Sequence, residues 1–292
     1  MTACGCKLHE SRMSEDRLAE HYALCGVALR DADRDRWLAC LFAPEAARPH
    51  LFALYAFNAE VARIREHVSQ PILGEMRLQW WIDTLGSDER GDVQVHPTAD
   101  ALLATINKLN LPRPVFRDLL EARRFDMYDD PAPDVGFLEA YCGETCSALF
   151  RLASLILGAT APNADAAGHA GCAYAMTGLL RALPWLVANQ QCYIPRDLLA
   201  RHGLTPARVL AREKSPEMVA ALSDMRALAR GHLDKASRAV AALPKAEREA
   251  YRLLALPKLY LREMERRGYD PFLPMAEIVP WRRQWALWRG KF

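Results

Sequence analysis

The residue whose placement most suggests chemistry is Arg181, which lies in a long stretch that is almost free of charge. From Leu152 to Pro195 the chain has only two charged residues, Asp165 and Arg181, in 44 positions. A guanidinium in such an apolar segment must either pair with a carboxylate in the core or line a polar cavity that receives an anion. The sequence leaves both interpretations open.

Other reactive side chains do not form recognisable catalytic sets. The eight cysteines include Cys4 and Cys6, and Cys142 and Cys146 one helical turn apart, without a histidine or further cysteine at metal-ligand spacing. In a chain of this size we expect reduced, buried thiols. His169 lies among small uncharged residues and is predicted to be a hydrogen-bonded core histidine.

Composition narrows the class of protein. Of the 292 residues 51% are hydrophobic and 25% are charged, which is enough to bury a sizeable core. Lys and Arg number 38 against 36 Asp and Glu, a net charge of +2 that argues against a nucleic-acid partner. The sequence has no apolar run typical of a secretory signal or a bilayer span, so we expect a cytoplasmic protein, peripheral at most to the inner membrane.

Apolar residues recur at helical spacing along the whole chain, which predicts an all-α protein. The predicted helices begin at Ser14 and then span 45–67, 71–85, 98–110, 114–128, 135–157, 165–187, 216–243 and 247–267. The helices on either side of Asn163 are apolar all round and should lie at the centre of a bundle. We expect a disordered extension over residues 1–13, one helical domain over 14–272 and an aromatic, basic helix or tail over 273–292.

Several segments resemble the squalene/phytoene synthase family. Residues 54–57, LYAF, resemble the start of its first active-site helix, and residues 73–81, LGEMRLQWW, resemble the signature that follows. Residues 174–195 are similar to the second active-site helix and the loop after it, and residues 141–152 to a helix that lines the prenyl tunnel. The resemblance covers residues 18–272 and implies a single-domain, all-α prenyl-synthase-type bundle around a central cavity.

The same resemblance nominates residues for the cavity and its ligand. They are Tyr55, Arg63, Glu66, Arg77, Gln79, Tyr141, Thr145, Thr177, Arg181 and Tyr193. Plainer roles stay open for some of them, because Arg77 and Gln79 could solvate the rim, and Tyr141 and Thr145 could simply join the core. Trp80 and Trp81 are adjacent on one helix, so we expect one to pack inside and the other to lie at an interface.

The resemblance also implies what this chain lacks. Enzymes of the family join two prenyl diphosphates, and Mg²⁺ bridges the phosphates to aspartates on two facing helices. The matching positions here are Ala62, Arg63, Glu66, Ala182 and Leu186. One remaining carboxylate is too few for a polyphosphate clamp, so we expect no metal and no cofactor; Mg²⁺ would be needed only if the protein were an active transferase.

This pattern is most similar to a degenerate subgroup of the family that includes a mitochondrial respiratory complex I assembly factor. The resemblance rests on residues 57–60, Arg63, residues 74–81, residues 270–272 and residues 281–285. It implies a non-catalytic protein that binds an isoprenoid or lipid-like ligand and assists complex I assembly, with a complex I subunit as partner. The alternatives are an active prenyltransferase that condenses prenyl diphosphates and an interaction protein whose cavity is filled.

Near the C-terminus three tryptophans recur at helical spacing. Trp281, Trp285 and Trp288 would share one face of a helix, and Arg282 and Arg283 lie among them. An aromatic stripe with basic flanks suits the surface of an anionic membrane. It equally suits a helix that closes over the bundle, with the stripe in the core and the arginines in solvent.

Overall fold

The computed structural model describes residues 3–87, 95–274 and 278–290, with side chains from Glu15 onward, and within these ranges every regular element is helical. The helices are α1 (Ala3–Ala32), α2 (Arg34–Cys40), α3 (Arg48–Ala62), α4 (Pro71–Gly86), α5 (Pro97–Leu109), α6 (Arg113–Ala122), α7 (Val135–Cys142), α8 (Ala148–Ile156), α9 (Ala164–Ala188), α10 (Arg196–Arg201), α11 (Pro206–Leu210), α12 (Pro216–Ala241), α13 (Ala255–Met264) and α14 (Pro280–Arg289). The predicted all-α fold is confirmed.

The helix boundaries differ from prediction where the chain tightens or loosens its turns. The first helix begins at Ala3 instead of Ser14. Four of the predicted helices are interrupted, by 3₁₀ turns at Ile64–His67, Arg123–Met127 and Glu247–Leu254 and by a π-helical turn at Gly143–Ser147. At Glu247–Leu254 the cause is visible in the sequence: Pro257 lies in the first turn of α13, where its missing N–H is tolerated.

Contacts along the chain divide it into two compact units, Met1–Arg117 and Asp118–Phe292. In the first unit α1 packs against α3 and α5. Their interface is built from small buried residues, Cys25, Ala53, Ala56 and Ala101, with the Phe52 ring against them. Side chains this short let the three helices approach closely. The unit therefore has a dense core around α3, the helix that resembles the first active-site helix of the family and is called the first-motif helix below.

In the second unit α9 is the central helix, as its apolar sequence predicted. It packs against α12, α8, α13 and the π-helical turn. At Gly171 the helix lies so close to this turn that an added Cβ atom would overlap the hydroxyl oxygen and the backbone nitrogen of Ser147. The Ser147 hydroxyl donates a hydrogen bond of 2.9 Å to the Gly168 carbonyl. Glycine at position 171 therefore brings the π-helical turn into backbone contact with α9.

The C-terminal helix α14 is anchored by a buried leucine and by hydrogen bonds from arginines, including an Arg282–Glu263 ion pair with α13, and it presents its tryptophans outward. Leu287 is fully buried, and Arg252 donates to the Leu287 carbonyl at 2.6 Å. Trp281, Trp285 and Trp288 are 65%, 53% and 61% exposed. The expectation that this stripe closes over the core is wrong, because Leu287 on the opposite face makes the packing contact. No helix in the described ranges is both long and apolar enough to cross a bilayer.

Candidate functional site

The first-motif helix α3 ends at the place where the family resemblance puts its carboxylates. Tyr55 is buried, and the Arg36 guanidinium carbon lies 5.6 Å from its ring centroid. Arg63 follows the last residue of α3 and donates from Nε to Glu66 Oε2 at 3.2 Å. Glu66 is the one motif position that keeps a carboxylate, and this carboxylate is hydrogen-bonded to Arg63, which stands at a neighbouring motif position.

The polar groups of α9, the helix that carries the second motif, are also engaged within the protein. Thr177 is buried, and its hydroxyl donates to the Ala173 carbonyl at 2.7 Å. Arg181 is exposed, with its guanidinium carbon 4.5 Å from the Tyr260 ring centroid. The interpretation of Arg181 as a core arginine is wrong, because the side chain lies over an aromatic ring at the surface of this unit.

The donor set at the motif positions does not fit Mg²⁺. This ion takes oxygen ligands in octahedral geometry, usually from carboxylates and phosphates. Ala62, Ala182 and Leu186 offer no side-chain oxygen, and Glu66 already accepts from Arg63. In the part of the chain that the structure describes, no group of three or more His, Cys, Asp or Glu side chains is placed to hold a metal ion.

A cleft of about 490 Å³ opens in the first unit, beside the motif face of α3. Four alanines, Ala28, Ala32, Ala56 and Ala59, line it together with Ile64, so the helices leave space between their larger side chains. Its polar lining combines Arg63, Arg77, His67, His96 and Glu60. The volume is within the range of small-molecule and side-chain pockets.

One wall of this cleft is aromatic. The centroids of Trp80 and Trp81 lie 5.0 Å apart, and each lies within 5.4 Å of the His96 ring. Trp81 is buried and meets Phe57 edge to face, whereas Trp80 is 41% exposed. The prediction that one of the two tryptophans packs inside is confirmed, and an interface at Trp80 stays a prediction. Trp80 thus offers a large, partly apolar surface at the mouth of the cleft.

Among the described residues that line the cleft, Glu60 is the one that carries a carboxylate. Its carboxylate accepts from the Thr98 hydroxyl and lies 3.5 Å from His96 Nε2. Burial raises the pKa of Glu60, and the Thr98 hydrogen bond and His96 oppose this effect. With two arginines and two histidines in the same lining, the cleft favours an anionic group over a cationic one.

In the second unit the predicted tunnel residues belong to a closed buried network. Tyr141 and Tyr193 donate from their hydroxyls to Asp126 Oδ1 at 2.7 and 2.6 Å. Arg123 donates to Asp126 Oδ2 at 2.9 Å and to the Tyr141 hydroxyl at 2.8 Å. Burial raises the pKa of each tyrosine well above the usual value for a phenol, so both hydroxyls remain hydrogen-bond donors at neutral pH.

A second polar chain in this unit joins three helices. His169 Nδ1 on α9 lies 3.0 Å from His232 Nδ1 on α12, and His232 Nε2 lies 3.0 Å from Glu139 Oε1 on α7. Burial, followed by the repulsion from His232, lowers the pKa of His169. The predicted hydrogen bond of His169 is therefore confirmed, with a second histidine as its partner, but the side chain is half-buried and not part of the core.

Some of the candidate residues lie close together in the structure, whereas others form hydrogen bonds only with residues four positions away in the chain. Arg63 and Arg77 line one cleft, and Tyr141 and Tyr193 share Asp126. Thr145 donates to the carbonyl of Tyr141 at 2.6 Å, inside its own helix. In a similar way, Gln79 is exposed and donates to Asp83 at 2.9 Å, four residues along α4.

Sequence reasoning missed the acidic partners of these sites. Arg123 and Asp126 stand at i and i+3, a spacing that indicates a local ion pair but not its burial. Glu60 and His96 are separated by a stretch of chain that carries no pattern linking them. A polar residue that stands at an otherwise apolar helix position, as Asp126 does, was the available signal.

Comparison with known proteins agrees with this geometry. The sequence profile of the squalene/phytoene synthase family matches residues 29–289. Complex I assembly factor 6 of Homo sapiens is 28% identical over 259 residues, which is 88% of this chain and 77% of the relative. A presqualene diphosphate synthase of Rhodopseudomonas palustris is 29% identical over 192 residues, covering 64% and 67% of the two chains.

A solved structure gives the same fold. The crystal structure of the squalene synthase HpnC from Alicyclobacillus acidocaldarius superposes with a TM-score of 0.76 at 22% identity. The superposition covers 87% of this chain and 97% of that one. The architecture is shared although fewer than a quarter of the residues are identical.

Proposed function

The chain belongs to the squalene/phytoene synthase family, and we propose that within this family it is a non-catalytic protein that assists the assembly of respiratory complex I. The observation that carries the proposal is the 28% identity to complex I assembly factor 6 along 88% of this chain. The similarity to a presqualene diphosphate synthase spans a smaller share, 64%. The alignment with the assembly factor therefore extends over more of this chain than the alignment with the synthase.

The motif positions support a role without diphosphate chemistry. Departure of a diphosphate needs concentrated positive charge on its oxygens, which metal ions held by several carboxylates supply. Here Ala62, Ala182 and Leu186 provide no ligand for a metal ion, and the Glu66 carboxylate accepts a hydrogen bond from Arg63. A protein with this set keeps the fold of the family while lacking the groups that would ionise a prenyl diphosphate.

The corresponding experiment is deletion of the gene in the cells that naturally make the protein. We expect loss of fully assembled complex I on native gels and loss of NADH:quinone oxidoreductase activity in the membranes. A plasmid copy of the gene should restore both. Normal amounts of active complex I after the deletion would overturn the proposal.

The competing function, an active prenyltransferase, makes an opposite prediction in vitro. Purified protein incubated with farnesyl diphosphate and Mg²⁺ should release no pyrophosphate above the background without protein. A presqualene diphosphate synthase assayed in parallel serves as the positive control. Sustained release of pyrophosphate, with a condensed prenyl product, would show that the protein is an enzyme with a changed metal site.

As part of the same proposal, we infer that the protein binds an isoprenoid or lipid-like molecule. The family resemblance of residues 141–152 to a tunnel helix supports it. Native protein extracted with organic solvent should yield one lipid class at near-stoichiometric amount by mass spectrometry. Extracts that match those of an unrelated protein purified in the same way would contradict this part.

We also propose that α14 contacts the surface of an anionic membrane. Trp281, Trp285 and Trp288 are more than half exposed, and the Arg289 guanidinium carbon lies 5.9 Å from the Trp285 ring centroid. Indole rings prefer the head-group region, and neighbouring arginines add attraction to anionic lipid. This arrangement suits a short helix that lies in the plane of the interface.

The membrane proposal is tested by flotation with phosphatidylglycerol vesicles. We expect salt-sensitive binding that is lost when Trp285 and Trp288 are both changed to Ala. The melting temperature should hardly move, because Leu287 and not the tryptophans anchors α14. Equal flotation of the parent and the double variant would refute the role of the stripe.

A further inference from the structure

Helix α4 exposes an apolar stripe along its outer face. Ile72, Leu73, Met76 and Trp80 are 55%, 42%, 63% and 41% exposed. At about 100° per residue these four positions fall within roughly 100° of one another around the helix axis. The stripe is about 12 Å long, or two helical turns. Isolated apolar residues are common at protein surfaces, but a contiguous stripe of four marks an interaction site.

The stripe runs into the cleft of the first unit. Trp80 belongs to both, and Arg77, one residue after Met76, lines the cleft. In the ranges that the structure describes, no carboxylate contacts Arg77. Arg63 adds a second guanidinium to the cleft, and Glu60 is the one carboxylate among the described residues that line it. A guanidinium next to exposed tryptophan and methionine is the composition typical of binding hot spots.

We propose that this surface, the α4 stripe with the adjoining cleft, docks an acidic amphipathic helix of a partner protein. Apolar side chains of the partner, spaced at i and i+4, would cover Ile72, Met76 and Trp80. A partner Asp or Glu would enter the cleft and accept a charge-assisted hydrogen bond from Arg77. The alanines Ala28 and Ala59 leave room there for a side chain. The proposal rests on the assembly function, because an assembly factor must hold a protein partner.

A concave, cationic site favours a protein segment over a flat lipid surface as the occupant. The cations of the cleft lie beside Trp80 and the alanine-lined floor, where a partner's carboxylate can be enclosed. Enclosure strengthens an ion pair, because fewer water molecules screen it. By contrast, the tryptophans of α14 project outward from a convex helix.

Site-specific photocross-linking tests the docking surface in the native host cells. Met76 is replaced by p-benzoyl-L-phenylalanine, and the adduct is identified by peptide mass spectrometry. Val219, which is 62% exposed on α12, carries the same probe as the control. We expect an adduct at position 76 with a protein segment that has acidic residues and apolar residues at i and i+4. We expect no such adduct at position 219.

Two substitutions test the chemistry of the site. Arg77→Glu should lower the yield of the adduct at least fivefold, and Arg77→Lys should lower it less. Ala28→Leu narrows the cleft and should also lower the yield, whereas Ala23→Leu, exposed elsewhere on α1, should not. Both leucine variants place a good helix former on an exposed helix position, so folding should be preserved. Thermal melting verifies this for each variant.

Three results would overturn the docking proposal: an adduct with phospholipid alone, an adduct of equal yield at Val219, or a yield at position 76 that Arg77→Glu leaves unchanged. These results are separable from failure of the assembly function. If gene deletion abolishes complex I but a plasmid copy that carries Arg77→Glu restores it fully, the docking proposal is wrong and the assembly role stands. If deletion leaves complex I intact, the assembly role fails whatever the cross-linking shows.

Discussion

The backbone contact at Gly171 makes a sharp prediction about stability. A Cβ atom added there would lie 2.3 Å from the Ser147 nitrogen and 2.4 Å from its Cα, far inside van der Waals contact. These are backbone atoms of a π-helical turn, so no side-chain rotation can relieve the clash. Gly171→Ala must therefore push the turn away from α9.

The expected magnitude follows from two opposing effects. Overpacking of a tight site costs about 3 kcal/mol when backbone must move. Replacement of a mid-helix glycine by alanine returns about 1 kcal/mol. The net loss is about 2 kcal/mol, and for a chain of this size that lowers the melting temperature by roughly 3 °C.

Gly178 in the same helix is a matched control. No atom lies within 4 Å of a Cβ built at Gly178, so Gly178→Ala should stabilise the protein by about 1 kcal/mol. The difference between the two variants, about 3 kcal/mol, isolates the clash from helix propensity. Differential scanning calorimetry and urea unfolding measure it.

A second-site test identifies the clashing atoms. Ser147→Gly removes the hydroxyl but leaves the backbone nitrogen at 2.3 Å from the added Cβ. It should therefore not rescue Gly171→Ala. The reasoning is refuted if Gly171→Ala is as stable as Gly178→Ala, or if Ser147→Gly restores the lost stability.

Other predictions concern the buried polar groups. Because the pKa of His169 is lowered from 6.5 in the folded protein, the unfolded chain takes up that proton first as the pH falls; stability is full above about pH 6.5 and declines below it, and His169→Gln should flatten the decline in urea titrations. Asp126→Ala leaves the Arg123 charge buried without its carboxylate and should lower the free energy of unfolding by about 3 to 5 kcal/mol. Burial raises the pKa of Cys25 to about 12, so native Cys25 should react with iodoacetamide at least a thousandfold more slowly than in urea, by peptide mass spectrometry.

Controls decide each of these experiments. A decline of stability below pH 6.5 that stays as steep in His169→Gln as in the parent would contradict the first prediction. Asp126→Ala with a loss below about 1 kcal/mol would mean that its network is solvated and not buried. Equal alkylation rates of Cys25 in native and unfolded protein would contradict its burial.

Local sequence patterns were sufficient for the elements themselves. Pro71 and the apolar spacing after it predicted a helix to Leu85, and α4 runs from Pro71 to Gly86. Helical periodicity also predicted that only one of Trp80 and Trp81 could be buried. Near-absence of charge predicted the central place of α9. These features depend on neighbours within a few residues, and such interactions repeat in every helix.

The tertiary structure decided which residues meet. Asp126 gathers hydroxyls from Tyr141 and Tyr193, which are 15 and 67 residues away in the chain. The π-helical turn in the predicted helix 135–157 is matched by Gly171 on another helix, so the reason for that interruption lies outside its own sequence.

The sequence by itself determined the class of fold and the loss of the carboxylates at the two motifs, because both can be recognised from residue types at fixed helical spacing. It did not determine the pairing of Arg63 with Glu66, the exposure of Arg181 over Tyr260, or the cleft that Arg77 lines. A side chain's partner depends on which helices lie beside it and at what distance. Those distances follow from the packing of the whole unit, to which residues remote in the chain contribute.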